Sequence, residues 1–582
     1  MDTFYTNEKH TQILIALMKK HGIKKIIASP GATNICLVAS LQNDPYFEIY
    51  SSVDERSAAY MACGLAAESG EPVVLSCTGA TASRNYMPGL TEAFYRKLPI
   101  LAITSTQRID RIGHNVPQVI DRSVEPNDIF NLSVYIPEIY NDEDRWSCEV
   151  RINEAILELK HHGGGPVHIN LVTNYSPIYD VKELPDVRVI KRIYYNSKMP
   201  ELPNGKIGIY VGAHREWSKE LTDKVDKFCS LYNAVVFCDH TSNYKGEYQV
   251  FPSLVASQDC YRAACCSVDL LLHIGDISGA YVAIFSNKTW RINIDGKICD
   301  TFKNLQYVFE MNEEDFFEKY IELAHISTNK QQNTFLLEWQ NEYKDIYNNI
   351  PEIPFSNPWI AKNTISHLPE NSVLHLGILN TLRSWNYFEV SSTVRGYSNT
   401  GGFGIDGNTS SLIGASLFDS NKLFFGIVGD LSFFYDMNSL GNHHVKNNLR
   451  LMIINNGKGA EFTMYNHLGA KFREKTNDYI AAANHYGKKS AVLIKHYAED
   501  LGFEYISAKN KEEYLSNLEK FVNPNILEKS IVFEVFTDSK DESEAHKIIR
   551  NIKKSKKGIV KKMVKDTLGE KGILLLKNFI KK

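Results

Sequence analysis

Two kinds of apolar pattern alternate along the chain. Short runs such as IKKIIA, YFEIYSSV, PVVLSCTG, PILAITS, LFFGIV (423–428) and LRLMII (449–454) are apolar and mostly rich in β-branched residues, the signature of strands buried on both faces of a parallel sheet. Between them apolar residues recur at helical spacing, as in RSAAYMACGLAAES and in Phe433, Phe434, Met437 and Leu440. Alternation of this kind predicts an α/β protein with doubly wound parallel sheets. Three such domains are expected. The first, 1–185, opens with a helix that Thr6 caps and Gly22 ends, and closes with GGGPVHINLV (163–172). The second, 190–335, holds KIGIYVGA, VVFCDH, LLLHIGD and TWRINID. A polar stretch (326–349) and the proline-studded link IPEIPFSNP then lead to the third, 355–540.

The end of the chain, 541–582, breaks the pattern. From Lys547 onward thirteen Lys/Arg face two Asp/Glu, with Ile559, Val560, Met563, Val564 and the run from Ile573 to Leu576 forming an apolar side. A basic helix of this kind docks on an acidic body, lies on an anionic membrane surface, or is simply solvated. The whole chain is nevertheless slightly acidic, at −3 over 582 residues with 43% hydrophobic. That suffices for three cores and argues against a nucleic-acid partner. The polar start MDTFYTNEKH and the lack of an uninterrupted apolar run of spanning length lead us to expect a cytoplasmic protein. Ten cysteines without a CxxC pair read as reduced, buried thiols.

Chemistry enters at the strand ends. The runs 423–428 and 449–454 flank a helical segment, and such a right-handed crossover brings Asp430 and Asn455-Asn456 to one carboxyl edge, where open α/β sheets bind ligands. A carboxylate beside an amide oxygen suits Mg²⁺, and the helix opening at Leu431-Ser432 offers N–H groups to phosphate. In the first domain Glu55 begins a helix directly after a strand. It serves there either as a favourable first-turn charge or as a proton relay aimed into a cleft. His443-His444 is read as a helix surface.

With these residues in place the sequence resembles the thiamine-diphosphate-dependent 2-oxoacid decarboxylase and carboligase family. It is most similar to the menaquinone-pathway branch, the 2-succinyl-5-enolpyruvyl-6-hydroxy-3-cyclohexene-1-carboxylate synthases. The resemblance rests on SPG (29–31), DER (54–56), GPVHIN (165–170), GIDG (404–407), GDLSFFYDMN (429–438) and Asn455-Asn456, in order and suitably spaced. It implies a pyrimidine-binding, a middle and a diphosphate-binding domain, with thiamine diphosphate and Mg²⁺ as cofactors. Asp430, Asn456 and the Lys458 carbonyl would hold the metal. Gly429, Leu431 and Ser432 would flank the diphosphate, and Ile405 would support the bent cofactor. Glu55, in its acid form, would bond the pyrimidine nitrogen, while Gln118, with His114 nearby, would face the reacting centre. The family also implies a homodimer or homotetramer, the first domain of one subunit facing the third of another. The middle domain lacks a GxGxxG loop and is expected to be structural.

The sequence departs from that branch where substrate carboxylates are held. Thr33 stands where an arginine is expected after SPG, Thr400 where one is expected before GIDG, and Ala280-Tyr281 where a Lys-Arg pair is expected, whereas Arg383 remains. Thr33, Arg383, Thr400 and Phe462 are the candidate substrate contacts. Three readings follow. The first is decarboxylation of a pyruvate-like 2-oxoacid with carboligation to an aldehyde, ketone or oxoacid. The second is the menaquinone-pathway synthase acting on 2-oxoglutarate and isochorismate. The third is a silent scaffold, against which the retention of Glu55, Asp430 and Asn456 argues, because a buried acid without a role costs stability.

Overall fold

The computed structural model describes residues 4–280, 283–324, 333–485, 489–560 and 562–563. The chain divides into two compact units, Met1–Ser197 with Asp295–Glu310, and Lys198–Ile294 with Met311–Lys582. The three predicted parallel sheets are present, but the division between units does not follow the predicted domain boundaries.

In the first unit the strands are β1 (Lys25–Ala28), β2 (Glu48–Ser51), β3 (Val73–Thr78), β4 (Ile100–Thr106), β5 (Leu132–Ile136) and β6 (Val167–Val172). They form one parallel sheet in the order β2-β1-β3-β4-β6-β5. The central strands β3 and β4 are buried along their whole length, which explains why they read as unbroken apolar runs. The Glu55–Ser69 helix buries a stripe of small residues, Ala58, Ala59, Ala62, Cys63 and Ala66. Gly89 lies so close to it that an added Cβ would stand 2.5 Å from the Ala59 Cβ. Close helix approach therefore accounts for the small-residue spacing in RSAAYMACGLAAES. The first helix, Lys9–Lys20, starts later than predicted, with Glu8 as its N-cap. Thr6 is buried and its hydroxyl accepts from the Glu8 N–H instead of capping the helix. β7 (Lys191–Tyr194) pairs in parallel with β13 (Leu305–Glu310), which is why the segment Asp295–Glu310 joins this unit.

The second unit holds β8 (Ile207–Val211), β9 (Ala234–Phe237), β10 (Gln249–Val250), β11 (Leu270–Ile274) and β12 (Thr289–Ile292), in the order β10-β9-β8-β11-β12. It also holds β14 (Val373–Leu376), β15 (Arg395–Tyr397), β16 (Phe424–Gly429), β17 (Leu449–Asn455), β18 (Glu504–Ala508) and β19 (Ile531–Phe536), ordered β15-β14-β16-β17-β19-β18. The two sheets are welded by buried polar contacts. Asn243 and Gly396 exchange two hydrogen bonds of 3.1 Å, and the His240 N–H donates to Asn386. Residues 326–332 of the expected polar stretch lie outside the described residues, and the Thr334–Asn348 helix follows them.

The basic end is partly integrated as well. The Ser539–Ile549 helix buries Glu542 and His546, so residues 541–549 belong to the folded unit and not to a tail. Beyond it Arg550 and Lys562 each lie 3.1 Å from Asp259, and Lys553 pairs with Glu342 and Asp345. The described part of the basic segment docks on acidic groups of its own chain. Val564 and residues 573–582 lie outside the described residues. His443-His444 occupies an exposed turn beyond the helical segment, not its surface. Nine cysteines are buried and free, and Cys299 is exposed. Among the described residues no helix is long and apolar enough to cross a membrane.

Candidate cofactor site

β16 ends at Gly429 and the Asp430–Asp436 helix starts at once, so Asp430 is a first-turn residue at the carboxyl edge of the sheet. Its side chain is 3% exposed. Burial pushes its carboxyl up to about 7, while backbone N–H groups of Asp430 itself, Asn456, Leu431 and Gly457 pull in the other direction. β17, hydrogen-bonded to β16, ends at Asn455. Asn455 itself is committed to the fold, donating from its amide to Glu534 at 2.7 Å. Asn456 is different: its amide oxygen is buried without a hydrogen-bond partner. A buried carboxylate lacking a basic partner and an unpaired amide oxygen are two hard-oxygen donors at one strand edge, the set that a magnesium ion takes. These residues fit the metal that the sequence implies. Gly457, at φ +73°, turns the chain there and brings the Lys458 segment past the same edge. The Lys458 ammonium is drawn away to Asn477 at 3.0 Å.

Ile405 is positioned by its backbone. Its carbonyl accepts from the Ser432 hydroxyl at 2.6 Å and from the Asn408 amide at 3.0 Å, and Asn408 also donates to Ser432 at 2.8 Å. The side chain is half-buried and stands outside the apolar core, unlike a packing isoleucine. Asp436 accepts from Ser410 N–H at 2.6 Å and locks the preceding helix, Asn408–Ser416, against the Asp430–Asp436 helix. Leu431 and Gly429 frame the helix start.

The carboxyl edge of the first unit carries different groups. Glu55 opens its helix beside the N-cap Asp54, is half-buried, and accepts from the Asn85 amide at 3.2 Å. The burial expected of it is therefore incomplete in one chain. Gln118 and His114 are exposed on a loop where Gln118 adopts φ +63°, a conformation that non-glycine residues rarely hold. Sequence reasoning missed Arg122. It is 6% exposed, donates to Asn170 at 2.5 Å and to Thr104, and has its Nε unpartnered; burial lowers its pKa to about 10. It sits beside Gly79, where a Cβ would come 2.9 Å from its Nη2. The buried hydroxyls of Ser29, Thr78 and Ser105 are unpartnered at the same edge. The segment around Arg122, IDRSVEP, has no periodicity that could have singled it out.

The substrate candidates fare unevenly. Thr33 is 1% exposed and donates to the Ser105 carbonyl at 2.6 Å, so its hydroxyl is engaged within the fold. Arg383 is not a free cation: it pairs with Glu461. Both line a polar cavity of about 340 Å³ with Ala280, Asn380, His546 and Arg550. Thr400 is buried, with its methyl near Gly279, and contributes bulk, not a charge, at that place. Phe462 is half-buried and packs edge-on against His467. Tyr281 lies outside the described residues.

Residues 8–124 match the model of the thiamine pyrophosphate enzyme N-terminal TPP binding domain. The chain is 32% identical to the 2-succinyl-5-enolpyruvyl-6-hydroxy-3-cyclohexene-1-carboxylate synthase of Phocaeicola vulgatus, the match covering 93% of this chain and 97% of that one. It is likewise 32% identical to the synthase of the same name from Bacteroides thetaiotaomicron, over 92% and 97%. A solved thiamine diphosphate-dependent 4-hydroxybenzoylformate decarboxylase from Rhodococcus jostii aligns at 15% identity and a TM-score of 0.40, over 91% of this chain and 99% of that one. The chain thus belongs to the thiamine-diphosphate-dependent enzymes, in the family of the 2-succinyl-5-enolpyruvyl-6-hydroxy-3-cyclohexene-1-carboxylate synthases.

Proposed function

We propose that this chain decarboxylates a 2-oxoacid and joins the remaining fragment to an acceptor carbon, with thiamine diphosphate and Mg²⁺ as cofactors. The pairing of buried Asp430 with the unpartnered oxygen of Asn456 carries this reading. Those two groups and the Lys458 carbonyl would hold the metal and, through it, the diphosphate. When bound, the cofactor would supply an electron sink for the bonding pair left on the 2-oxo carbon as CO₂ departs. Ser432 and Asn408 fix the Ile405 carbonyl and so set the side chain that would support the cofactor's bent shape, a matter of enforced geometry. Glu55 would hold a proton at the pyrimidine nitrogen.

The similarity to the curated synthases supports 2-oxoglutarate and isochorismate as donor and acceptor. Arg122, a buried cation with neutral hydrogen-bond partners, is a residue able to balance a substrate carboxylate there. A second reading, a less anionic donor such as pyruvate, is favoured by inward-facing Thr33 and by Glu461, which takes up the Arg383 charge. Release of CO₂ from each oxoacid, with thiamine diphosphate and Mg²⁺ and with or without isochorismate, separates the two. Activity with neither oxoacid would count against both.

A homodimer is part of the proposal. Tyr60 and Met61 are exposed on the Glu55–Ser69 helix, with Val53 80% exposed just before it. Such an apolar patch beside a half-covered acid suits a second copy of the chain. Mixing Glu55→Gln with Asp430→Ala chains should restore part of the activity that each lacks. No recovery despite demonstrated subunit exchange would remove the shared site from the reading.

A further inference from the structure

The loop before β6 reads HHGGG, and its backbone is held in unusual conformations. His162 has φ +48°, and Gly163, Gly164 and Gly165 all have positive φ. The result is that both imidazoles turn toward the end of β13, with their rings stacked 3.6 Å apart. His161 Nε2 stands 3.1 Å from Glu310 Oε2, and His162 Nε2 stands 3.3 Å from Glu310 Oε1. On the far side of His161, Nδ1 lies 2.9 Å from Glu158 Oε2.

The hydrogen bonding of this group is incomplete in an informative way. His161 is 7% exposed, yet its Nε2 has no hydrogen-bond partner, and neither has Glu310 Oε2, the atom it faces. If Nδ1 carries the proton toward Glu158, Nε2 presents a lone pair to a carboxylate oxygen, and two acceptors face each other across a short gap. A divalent cation resolves that conflict. Zinc binds nitrogen and oxygen ligands at about 2.0–2.2 Å, so two ligands at a near-tetrahedral angle stand about 3.3 Å apart. A carboxylate on the distal imidazole nitrogen is the usual support of a metal-bound histidine. Gly296 leaves the space for it, since a Cβ there would stand 2.5 Å from Glu310 Oε2.

Charges around the group are compatible with a cation. Arg192 approaches Glu310 and Glu158 at 3.7 and 3.9 Å, but it donates to the carbonyls of Gly296 and Leu157. Two carboxylates face one guanidinium among the direct contacts of the group, with the Lys97 ammonium beside the loop at Gly163.

We propose that His161, His162 and Glu310 bind a divalent transition metal of the zinc or cobalt type, with Glu158 orienting His161. Two imidazoles and a carboxylate suit such ions better than Mg²⁺ or Ca²⁺. His162 is 67% exposed, which leaves the fourth position to water. The group lies before β6, at the amino edge of the sheet and away from the Ser29 and Gly79 edge. It therefore acts as a clip between the HHGGG loop and β13, not as part of catalysis.

The test uses the full chain, stripped with a chelator and then kept in excess Mg²⁺ so that the Asp430 site is occupied. Zn²⁺ is titrated calorimetrically and Co²⁺ by visible absorption. The wild type should bind Zn²⁺ and show the intense bands of four-coordinate Co²⁺, with a raised Tm. His162→Ala, whose ring is exposed and whose loss spares the fold, and Glu310→Gln should each weaken binding by about tenfold or more. His443→Ala with His444→Ala, the other histidine pair, should change nothing. Absence of Zn²⁺ binding in the wild type, or unchanged titrations in His162→Ala and Glu310→Gln, would overturn the proposal and leave an ion-pair cluster.

Discussion

Six parallel strands run in one order in the sheet of β1 to β6, and the sheet of β14 to β19 repeats that order strand for strand. The third strand of each leads into a helix, across Gly79-Ala80 to Thr81 in the one and directly at Gly429-Asp430 in the other. The edges nevertheless have opposite character. The first offers unpaired hydroxyls and the buried cation Arg122, with Glu55 half-covered. The second offers the buried acids Asp430 and Glu542 and the unpaired Asn456 oxygen. One topology thus supplies two platforms, and the side chains at the strand ends decide what each can hold. An acidic edge suits a metal and its diphosphate; a neutral-to-cationic edge suits an uncharged ring or a carboxylate.

The difference can be broken most forcefully at the first edge. Glu55→Gln should lower turnover by about a hundred- to ten-thousandfold, the usual worth of a positioned acid or base. Thiamine diphosphate affinity should change little, because Asp430 and Asn456 are untouched. Steady-state kinetics together with calorimetry read both quantities, and a parallel loss of cofactor binding would show that the two edges do not divide the work.

The acidity of the second edge makes a prediction for pH. Burial raises the Glu542 carboxyl from 4.5 to about 7, against hydrogen bonds from Thr537 and the Asn357 N–H. The folded protein therefore holds a proton that the unfolded chain releases between those values, and stability falls as pH rises across that window. The full penalty is on the order of 3 kcal/mol. His168 and His546, held near 3 by burial, act oppositely, losing stability as pH falls below about 6.5. Urea unfolding at pH 5 and pH 8 should show a smaller loss for Glu542→Gln than for the wild type; equal losses would mean that the carboxyl is not held protonated.

Much of the second edge was legible because the signal is local. LFFGIV and LRLMII are strands, the residue after Gly429 had to open a helix, and Asp430 and Asn456 followed from the crossover. What the sequence left hidden depended on orientation or long separation. Thr33 stands at the expected motif position, but no pattern reveals that its hydroxyl turns inward to Ser105. Arg383 and Glu461 are 78 residues apart, and their pairing leaves no periodic trace. β7 pairs with β13 across more than a hundred residues, so the unit boundary could not be read from polar linkers. Glu55 was legible as a helix start, whereas its half-exposed setting beside Asn85, 30 residues away, left no local trace.

Two smaller effects sharpen the contrast. Ser432→Ala removes the hydroxyl that holds the Ile405 carbonyl. Turnover should fall by about tenfold, well short of the hundredfold that a gross misplacement can cost, because Asn408 still donates. Tm should move little. Thr33→Val should do the reverse, costing about 1 kcal/mol or somewhat more for the orphaned Ser105 carbonyl, with KM and turnover of the folded enzyme unchanged. A large rise in KM would instead place Thr33 among the substrate contacts.

The central claim is that Asp430 and Asn456 form a metal-dependent diphosphate site, and calorimetric titration of thiamine diphosphate tests it most directly. In Mg²⁺ the wild-type chain should bind the cofactor, and both a chelator and Asp430→Ala should abolish the heat. Failure of the wild type to bind in Mg²⁺, or equal binding by Asp430→Ala with the metal removed, would contradict it.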